Sequence, residues 1–132
     1  MENKEEELMF KFQMFEQHIR QLQEQMQAVE NGIAELSSLH VGLEEIKGSE
    51  GKEILAPIGR GMFLKTKLLS EELVVDVGEK NFVKKTVPES QKIIETQIAK
   101  LGDLQKELAD NLEKINAELT KTFMAAQKKT NI

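Results

Sequence analysis

Few residues of this chain could make or break bonds, because it contains no cysteine and only two histidines. The absence of cysteine excludes disulfides, thiolate nucleophiles and every cysteine-based zinc site. His18 and His40 are 22 positions apart, and neither has an acidic partner at the spacing that metal ligands require. We therefore predict no catalytic residue, no metal site and no cofactor, and we interpret both histidines as solvated or packed side chains.

A glycine pair, Gly59-x-Gly61, is the only other motif with a chemical interpretation. Phosphate-binding loops of this kind place a helix N-terminus directly after the glycines, so that backbone N–H groups point at the ligand. The residues that follow Gly61 alternate as a strand does and do not form such a helix. We interpret both residues as turn glycines.

Hydrophobic binding is indicated by five large apolar residues near the two ends of the chain. They lie off the regular apolar stripe of the predicted helices. Exposed apolar groups usually mark contact surfaces, and the unbranched, polarizable methionine side chain suits surfaces that accept many shapes. The alternative is that these side chains seal the fraying end of a helix pair or pack against a neighbouring subunit. The five residues are Met9, Phe10, Met14, Phe123 and Met124.

The first element that must position these five apolar residues is a long N-terminal helix, which we predict over residues 5–47. From Leu8 to Leu36, apolar residues recur at alternating steps of four and three, which is a heptad pattern. The positions between them are mostly polar, so the stripe is as narrow as a two-helix coiled-coil seam. Gly48 and Gly51 end the helix.

A second heptad seam predicts a helix over residues 89–129, beginning just after Pro88. If the two helices pack antiparallel, the numbers of facing seam residues must have a constant sum, and here that sum is 134. The two helices have nearly equal length, which favours a hairpin within one chain. The predicted facing pairs are Leu8 with Ala126, Phe12 with Thr122, Phe15 with Leu119, Ile19 with Ile115, Leu22 with Leu112, Met26 with Leu108, Val29 with Gln105, Ile33 with Leu101, Leu36 with Ile98 and His40 with Ile94.

Residues 53–88 contain both prolines and have the period-two alternation of half-buried strands. Glycine-rich and polar breaks divide this block into four short strands, which we predict to form two consecutive β-hairpins. Such a small block cannot bury a core of its own and leaves open sheet edges, so we expect it to join other subunits in a shared barrel or sheet. The candidate oligomerisation residues are Phe63, Leu73, Val75, Val77, Phe82 and Val83.

These elements predict one α+β domain over residues 1–132, a long antiparallel two-helix coiled coil joined by a central block of two β-hairpins. The net charge of −5 argues against nucleic-acid binding, which relies on clustered Lys and Arg. No apolar run approaches the length needed to cross a bilayer, and the acidic start lacks the basic region of a secretory signal. We expect a cytoplasmic protein with no membrane partner.

Several motifs of the central block resemble a known family. Pro57-x-Gly59-x-Gly61 leads into the strand Met62–Leu68, Leu73–Gly78 contains Val-Asp-Val-Gly, and Lys84 and Lys85 precede the second long helix. This arrangement is similar to the α-class subunit of prefoldin, the archaeal and eukaryotic cochaperone. The similarity covers nearly the whole chain, and two hairpins instead of one mark the α class within the family.

The resemblance implies a fold, partners and a function. Prefoldin subunits form hexamers of two α and four β-type subunits, whose hairpins build a double β-barrel and whose coiled coils are tentacles. The resemblance also implies that the tentacle tips capture non-native client proteins without ATP and hand them over to a group II chaperonin. The five apolar residues near the chain ends then become the client-binding residues.

Two rival function classes are also considered. A structural coiled-coil protein could assemble through its hairpins into filaments or homo-oligomers, and it would not suppress aggregation of clients. An enzyme is disfavoured because neither histidine has a partner in the sequence. We predict that the chain is not an enzyme.

Overall fold

The computed structural model describes residues 2–130 and contains two long helices that flank four strands. The elements in chain order are α1 (Glu2–Ile46), β1 (Glu53–Gly59), β2 (Met62–Lys67), β3 (Leu73–Asp76), β4 (Phe82–Lys85) and α2 (Val87–Thr130). The strands form two separate antiparallel sheets, β1 with β2 and β3 with β4. The predicted α+β class, with two long helices joined through two β-hairpins, is confirmed.

Helix α2 begins two residues before the predicted position because Thr86 caps it. The Thr86 hydroxyl accepts a hydrogen bond from the Glu89 N–H at 3.2 Å, and the Glu89 carboxylate accepts one from the Thr86 N–H at 3.3 Å. This reciprocal capping box satisfies donors that have no partner inside the helix. Pro88 then lies in the first turn, where its missing N–H has no cost.

Helix α1 ends at Ile46, one residue before the predicted position, and is followed by a loop whose glycines have positive φ. Gly48 has φ 73° and Gly51 has φ 82°, a region that side chains with a Cβ rarely occupy. The Glu71 carboxylate accepts a hydrogen bond from the Gly48 N–H at 2.7 Å, so the connection between β2 and β3 is held against the end of α1.

The turn between β3 and β4 has an unfavourable sequence for its geometry. Glu79 and Lys80 both have positive φ, 50° and 62°, and the Asn81 N–H donates to the Gly78 carbonyl at 2.9 Å. Two successive positive φ angles are characteristic of type I′ turns, in which Asn-Gly is strongly preferred. The observed Glu-Lys pair therefore carries backbone strain.

We expect Lys80→Gly to raise the free energy of unfolding by about 0.5–1 kcal/mol, because glycine adopts this conformation without a Cβ clash. Lys84→Gly, the same change in the neighbouring strand β4, is the matched control and should lower stability. Urea unfolding midpoints of the two variants measure the difference. Equal destabilisation by both changes would show that the turn is not strained.

The chain divides into two compact units, each with its own apolar cluster. The coil unit comprises the residues up to Ile33 and those from Lys100 onward, and the hairpin unit is Ala34–Ala99. In the coil unit the buried residues are Leu22, Val29, Leu108 and Ile115. In the hairpin unit they are Leu43, Val87 and Ile94, with Leu36, Ile46, Leu73 and Ile98 packed against them.

Contacts within each unit agree with the predicted helix register. In the coil unit, the rings of Phe12 and Phe123 are in contact, and a Cβ built on Gly32 would lie 3.3 Å from the Leu101 side chain. In the hairpin unit, His40 contacts Glu95. The numbers of these pairs sum to 133 or 135, so the expected sum of 134 is met within one residue, and a shift of one heptad is excluded.

Candidate functional site

The first candidate site is the terminal patch, which we define as Met9, Phe10, Met14, Phe123 and Met124 in the coil unit. All five side chains are exposed, with relative accessibilities of 52–65%. Solvated side chains of this size on a helix pair are unusual, because the seam residues alone are sufficient to hold two helices together. The terminal patch therefore brings five large exposed apolar side chains to the described part of the coil unit.

The terminal patch is not one continuous face. Phe10 and Met14 are four residues apart on α1, so their side chains are neighbours on the same helix surface. Met9 lies about 100° around the helix from Phe10, and so belongs to a different face. The five residues thus present apolar groups in several directions, which suits contact with an irregular extended chain.

Phe123 also has a structural role that the heptad pattern does not reveal. Its ring lies 6.5 Å from that of Phe12, with an interplanar angle of 62°, an edge-to-face contact. The two rings line an apolar groove together with Leu119 and Thr120. Phe123 therefore stabilises the helix pair as well as exposing apolar surface, whereas Met9, Phe10, Met14 and Met124 remain exposed without such a ring contact.

The second candidate site is the hairpin surface, the exposed apolar side chains of β1 to β4 and their connections. Of the six residues predicted for oligomerisation, four are exposed: Phe63, Val77, Phe82 and Val83. Leu73 is instead half-buried against the cluster of Leu43, Val87 and Ile94 within the same chain. Val75 lies two positions further along β3, on the same strand face as Leu73, and is also half-buried.

Sequence reasoning missed six further exposed apolar residues on this surface: Leu55, Ile58, Met62, Leu64, Val74 and Leu69, the last with an accessibility of 84%. The sequence pattern could have revealed these residues, because apolar residues follow one another directly in β1 and β2. Such neighbours occupy both faces of the first hairpin. A hairpin with two apolar faces cannot be satisfied by one helix pair. The hairpin surface is therefore apolar and exposed on both faces of the first hairpin.

A polar cluster connects the two helices of the hairpin unit. His40 Nε2 lies 3.0 Å from Glu95 Oε1, so the fold gives His40 an acidic partner that lies 55 positions away in the sequence. The buried Gln91 amide donates a hydrogen bond to Glu44 at 2.7 Å, and Lys47 lies 3.1 Å from the same carboxylate. The hydrogen bond from Gln91, followed by the Lys47 ammonium, lowers the pKa of the Glu44 carboxyl.

The polar cluster joins the two helices through the contacts of His40 with Glu95 and of Gln91 with Glu44. Among residues 2–130, no group of three or more His, Asp or Glu side chains is placed to hold a metal ion. Within the same residues, no helix is long and apolar enough to cross a membrane. The turn glycines behave as predicted, since Gly59 and Gly61 have φ 136° and 77° and are followed by strand β2.

The described chain thus has two long antiparallel helices joined through two β-hairpins, with large apolar side chains exposed on the helices and on the strands. A family model described as "Prefoldin subunit" matches residues 15–131. The chain belongs to the prefoldin family, and within it to the α class, a family of non-enzymatic chaperone subunits.

Similar proteins agree with this assignment. The chain is 28% identical over 91 residues to "Prefoldin subunit alpha" of Methanosphaera stadtmanae, covering 69% of this chain and 66% of that protein. It is 28% identical over 131 residues to "Prefoldin subunit alpha 1" of Methanocaldococcus jannaschii, covering 97% of this chain and 88% of that one. A filamentous PFD from Methanocaldococcus jannaschii, solved by cryo-EM, has the same fold, with a TM-score of 0.73, 23% identity and coverage of 86% of this chain and 95% of that one.

Proposed function

We propose that this chain is a cytoplasmic chaperone subunit that captures non-native proteins through the terminal patch and delivers them to a group II chaperonin. We further propose that it does so in a complex of two such α subunits with four β-type subunits, joined through the hairpin surface. Membership of the prefoldin α class supports the chaperone role. The single observation that carries the binding mode is the terminal patch itself, five large apolar side chains that remain exposed.

The physical mechanism requires only hydrophobic contact. An unfolded client exposes apolar side chains, and their burial against methionine and phenylalanine removes apolar area from water. One patch of this size binds weakly, because a few side chains bury little area. Several patches in one complex bind the same client with much higher avidity, since each further contact is intramolecular. No nucleotide is needed, because release follows when a competing surface takes over the weak contacts one by one.

The test combines the mass of the complex with an aggregation assay. The purified chain is mixed with a β-type prefoldin subunit of an archaeal relative, and the mass is measured for each component and for the mixture. A denatured test protein is then diluted into each sample, and light scattering follows its aggregation. We expect suppression by the mixed complex without ATP, and a mixture that assembles but leaves aggregation unchanged would refute the proposal.

A second candidate function is favoured by the hairpin surface. Its exposed apolar residues also fit a structural protein that assembles with copies of itself, and one similar structure is that of a filamentous PFD. This candidate predicts a mass that grows with concentration in the absence of β-type subunits, and no suppression of aggregation. The same two measurements separate it from the chaperone role.

A further inference from the structure

We propose that the methionines of the terminal patch, Met9, Met14 and Met124, are sites of reversible oxidation by hydrogen peroxide, and that their oxidation switches off client capture. The inference deepens the proposed function and rests on capture at the terminal patch. It adds a regulation of that patch, and it names the oxidant and the atoms that are modified, the three thioether sulfurs. Composition, exposure and the polarity of the oxidised side chain carry it.

The composition of the chain restricts the reaction to methionine. Peroxide attacks the sulfur side chains of proteins, cysteine as well as methionine, and this chain has no cysteine that could compete for the oxidant. It also has no tryptophan and no tyrosine. The six methionines are therefore the side chains that peroxide oxidises first.

Exposure then selects among the methionines, because the oxidant must reach the sulfur atom. Met9, Met14 and Met124 have relative accessibilities of 65%, 52% and 60%. Met26, which belongs to the seam, is half-buried and packs against the buried apolar cluster of the coil unit. All exposed methionines of the described coil unit thus belong to the terminal patch.

The reaction transfers one oxygen atom to each thioether sulfur. The sulfur lone pair attacks one oxygen of the peroxide, the S–O bond forms as the O–O bond breaks, and the second oxygen leaves as water with the proton that the first one loses. The sulfur is oxidised by two electrons and the peroxide is reduced by two. A methionine sulfoxide reductase reverses the change, since two thiols supply two electrons and yield a disulfide and water.

Oxidation makes the terminal patch polar where a client would bury it. The sulfoxide oxygen accepts hydrogen bonds, and an apolar client side chain offers it no donor, so burial of the oxidised group becomes unfavourable. Three of the five patch residues change in this way, and only Phe10 and Phe123 stay apolar. Because several patches hold one client, the losses in each patch multiply.

The same oxidation leaves the helix pair intact. Met9, Met14 and Met124 belong neither to the buried cluster of the coil unit nor to the residues packed against it. The ring contact that closes the helix pair near the chain ends joins Phe12 to Phe123 and includes no methionine. The oxidised chain therefore stays folded, and the effect is confined to the exposed surface.

Peptide mapping by mass spectrometry tests the selectivity of the reaction. The folded chain is treated with hydrogen peroxide, and the added oxygen atoms are located over a time course. We expect oxidation of Met9, Met14 and Met124 at rates several-fold above that of Met26. Equal rates at all four positions, with helicity unchanged, would overturn the proposed selection by exposure.

An aggregation assay tests the effect on capture. The treated chain is freed of peroxide and assembled with untreated β-type subunits, and the amount of complex that halves aggregation of a denatured protein is compared with that of the untreated sample. We expect this amount to rise on the order of tenfold or more, because the weakened contacts multiply. Treatment with methionine sulfoxide reductase and dithiothreitol should restore the original value, since the chain has no disulfide for the thiol to reduce.

A variant with Met9→Leu, Met14→Leu and Met124→Leu is the matched control. Leucine is apolar, has a similar volume and has no sulfur to oxidise. Each protein is compared with its own untreated sample, and the variant should change less than twofold on treatment. An equal loss in the variant and the wild type would assign the effect to another methionine, such as Met62 of the hairpin surface, and would overturn the proposal.

The untreated sample separates this proposal from the proposed function. An oxidised wild-type complex that protects the client as well as the untreated one, with sulfoxide found at all three positions, would overturn the regulation and leave the chaperone role standing. An untreated complex that assembles but gives no protection would refute the proposed function and the regulation together.

Discussion

Replacing Met9, Phe10, Met14 and Met124 together with alanine is expected to abolish suppression of client aggregation while the chain stays folded and assembled. These four side chains are exposed and lie off the helix seam, so their truncation removes no buried contact. Each truncation removes on the order of 1 kcal/mol or more of the favourable free energy that burial of the side chain against a client would supply. Because several patches act on one client, the losses multiply, and the apparent affinity should fall by several orders of magnitude.

Phe123 is left unchanged in this variant, since its ring packs on Phe12 and its removal would loosen the helix pair. The matched control replaces four other exposed apolar helix residues with alanine: Leu39, Val41, Ile93 and Leu104. This control variant removes a similar apolar area from helix positions that are not near the chain ends. If the control abolished protection equally, or the patch variant protected as well as wild type, capture at the terminal patch would be refuted.

Replacing Phe63 and Phe82 with serine should dissociate the complex. Their accessibilities are 60% and 62%, and they lie in different hairpins, so neither is needed for the core of its own chain. Each buried phenylalanine contributes about 2 kcal/mol at an interface, which raises the dissociation constant roughly thirtyfold per residue. Size-exclusion chromatography with light scattering, at several concentrations, would show the loss of mass.

Phe10→Ser is the control for this prediction, because it removes an equally exposed ring from the terminal patch instead of the hairpins. It should reduce client capture and leave the mass unchanged, the opposite outcome to the hairpin variant. Val75→Asp is a poorer probe, since Val75 shares its strand face with Leu73 and is half-buried within the chain. A Phe63→Ser, Phe82→Ser variant with wild-type mass would exclude assembly through the hairpin surface.

The helix pair could be predicted from sequence almost completely. Heptad spacing fixes which side of each helix is buried, and two matched seams fix the register, so contacts such as His40 with Glu95 follow within one residue. The capping box could also have been found, because Thr86-x-x-Glu89 before an apolar-periodic segment is its usual signature. Strand positions were recognisable from alternation and glycine breaks.

The orientation of the hairpins could not be predicted, for a physical reason. Residues such as Phe63 and Leu64 are adjacent and both apolar, so alternation does not decide which face of the strand is buried. The buried face is decided by contacts with residues distant in the sequence, as when Leu73 packs against the cluster of Leu43, Val87 and Ile94. The double role of Phe123 was missed similarly, because an edge-to-face contact depends on the geometry of two helices and not on the spacing within one.

The pairing of α1 with α2 has a consequence for the chain's own biogenesis. Leu22 and Val29 of α1 are buried in one cluster with Leu108 and Ile115 of α2, which is translated after the hairpins. Until α2 is translated, the apolar seam of α1 therefore lacks its partner helix, and the N-terminal part of the seam lacks it longest because the two helices are antiparallel. A newly synthesised copy presents the same kind of exposed apolar segment that we propose the mature protein to bind. If the proposed function holds, finished subunits shield nascent ones, and we expect the first copies in a cell to be the most prone to aggregate.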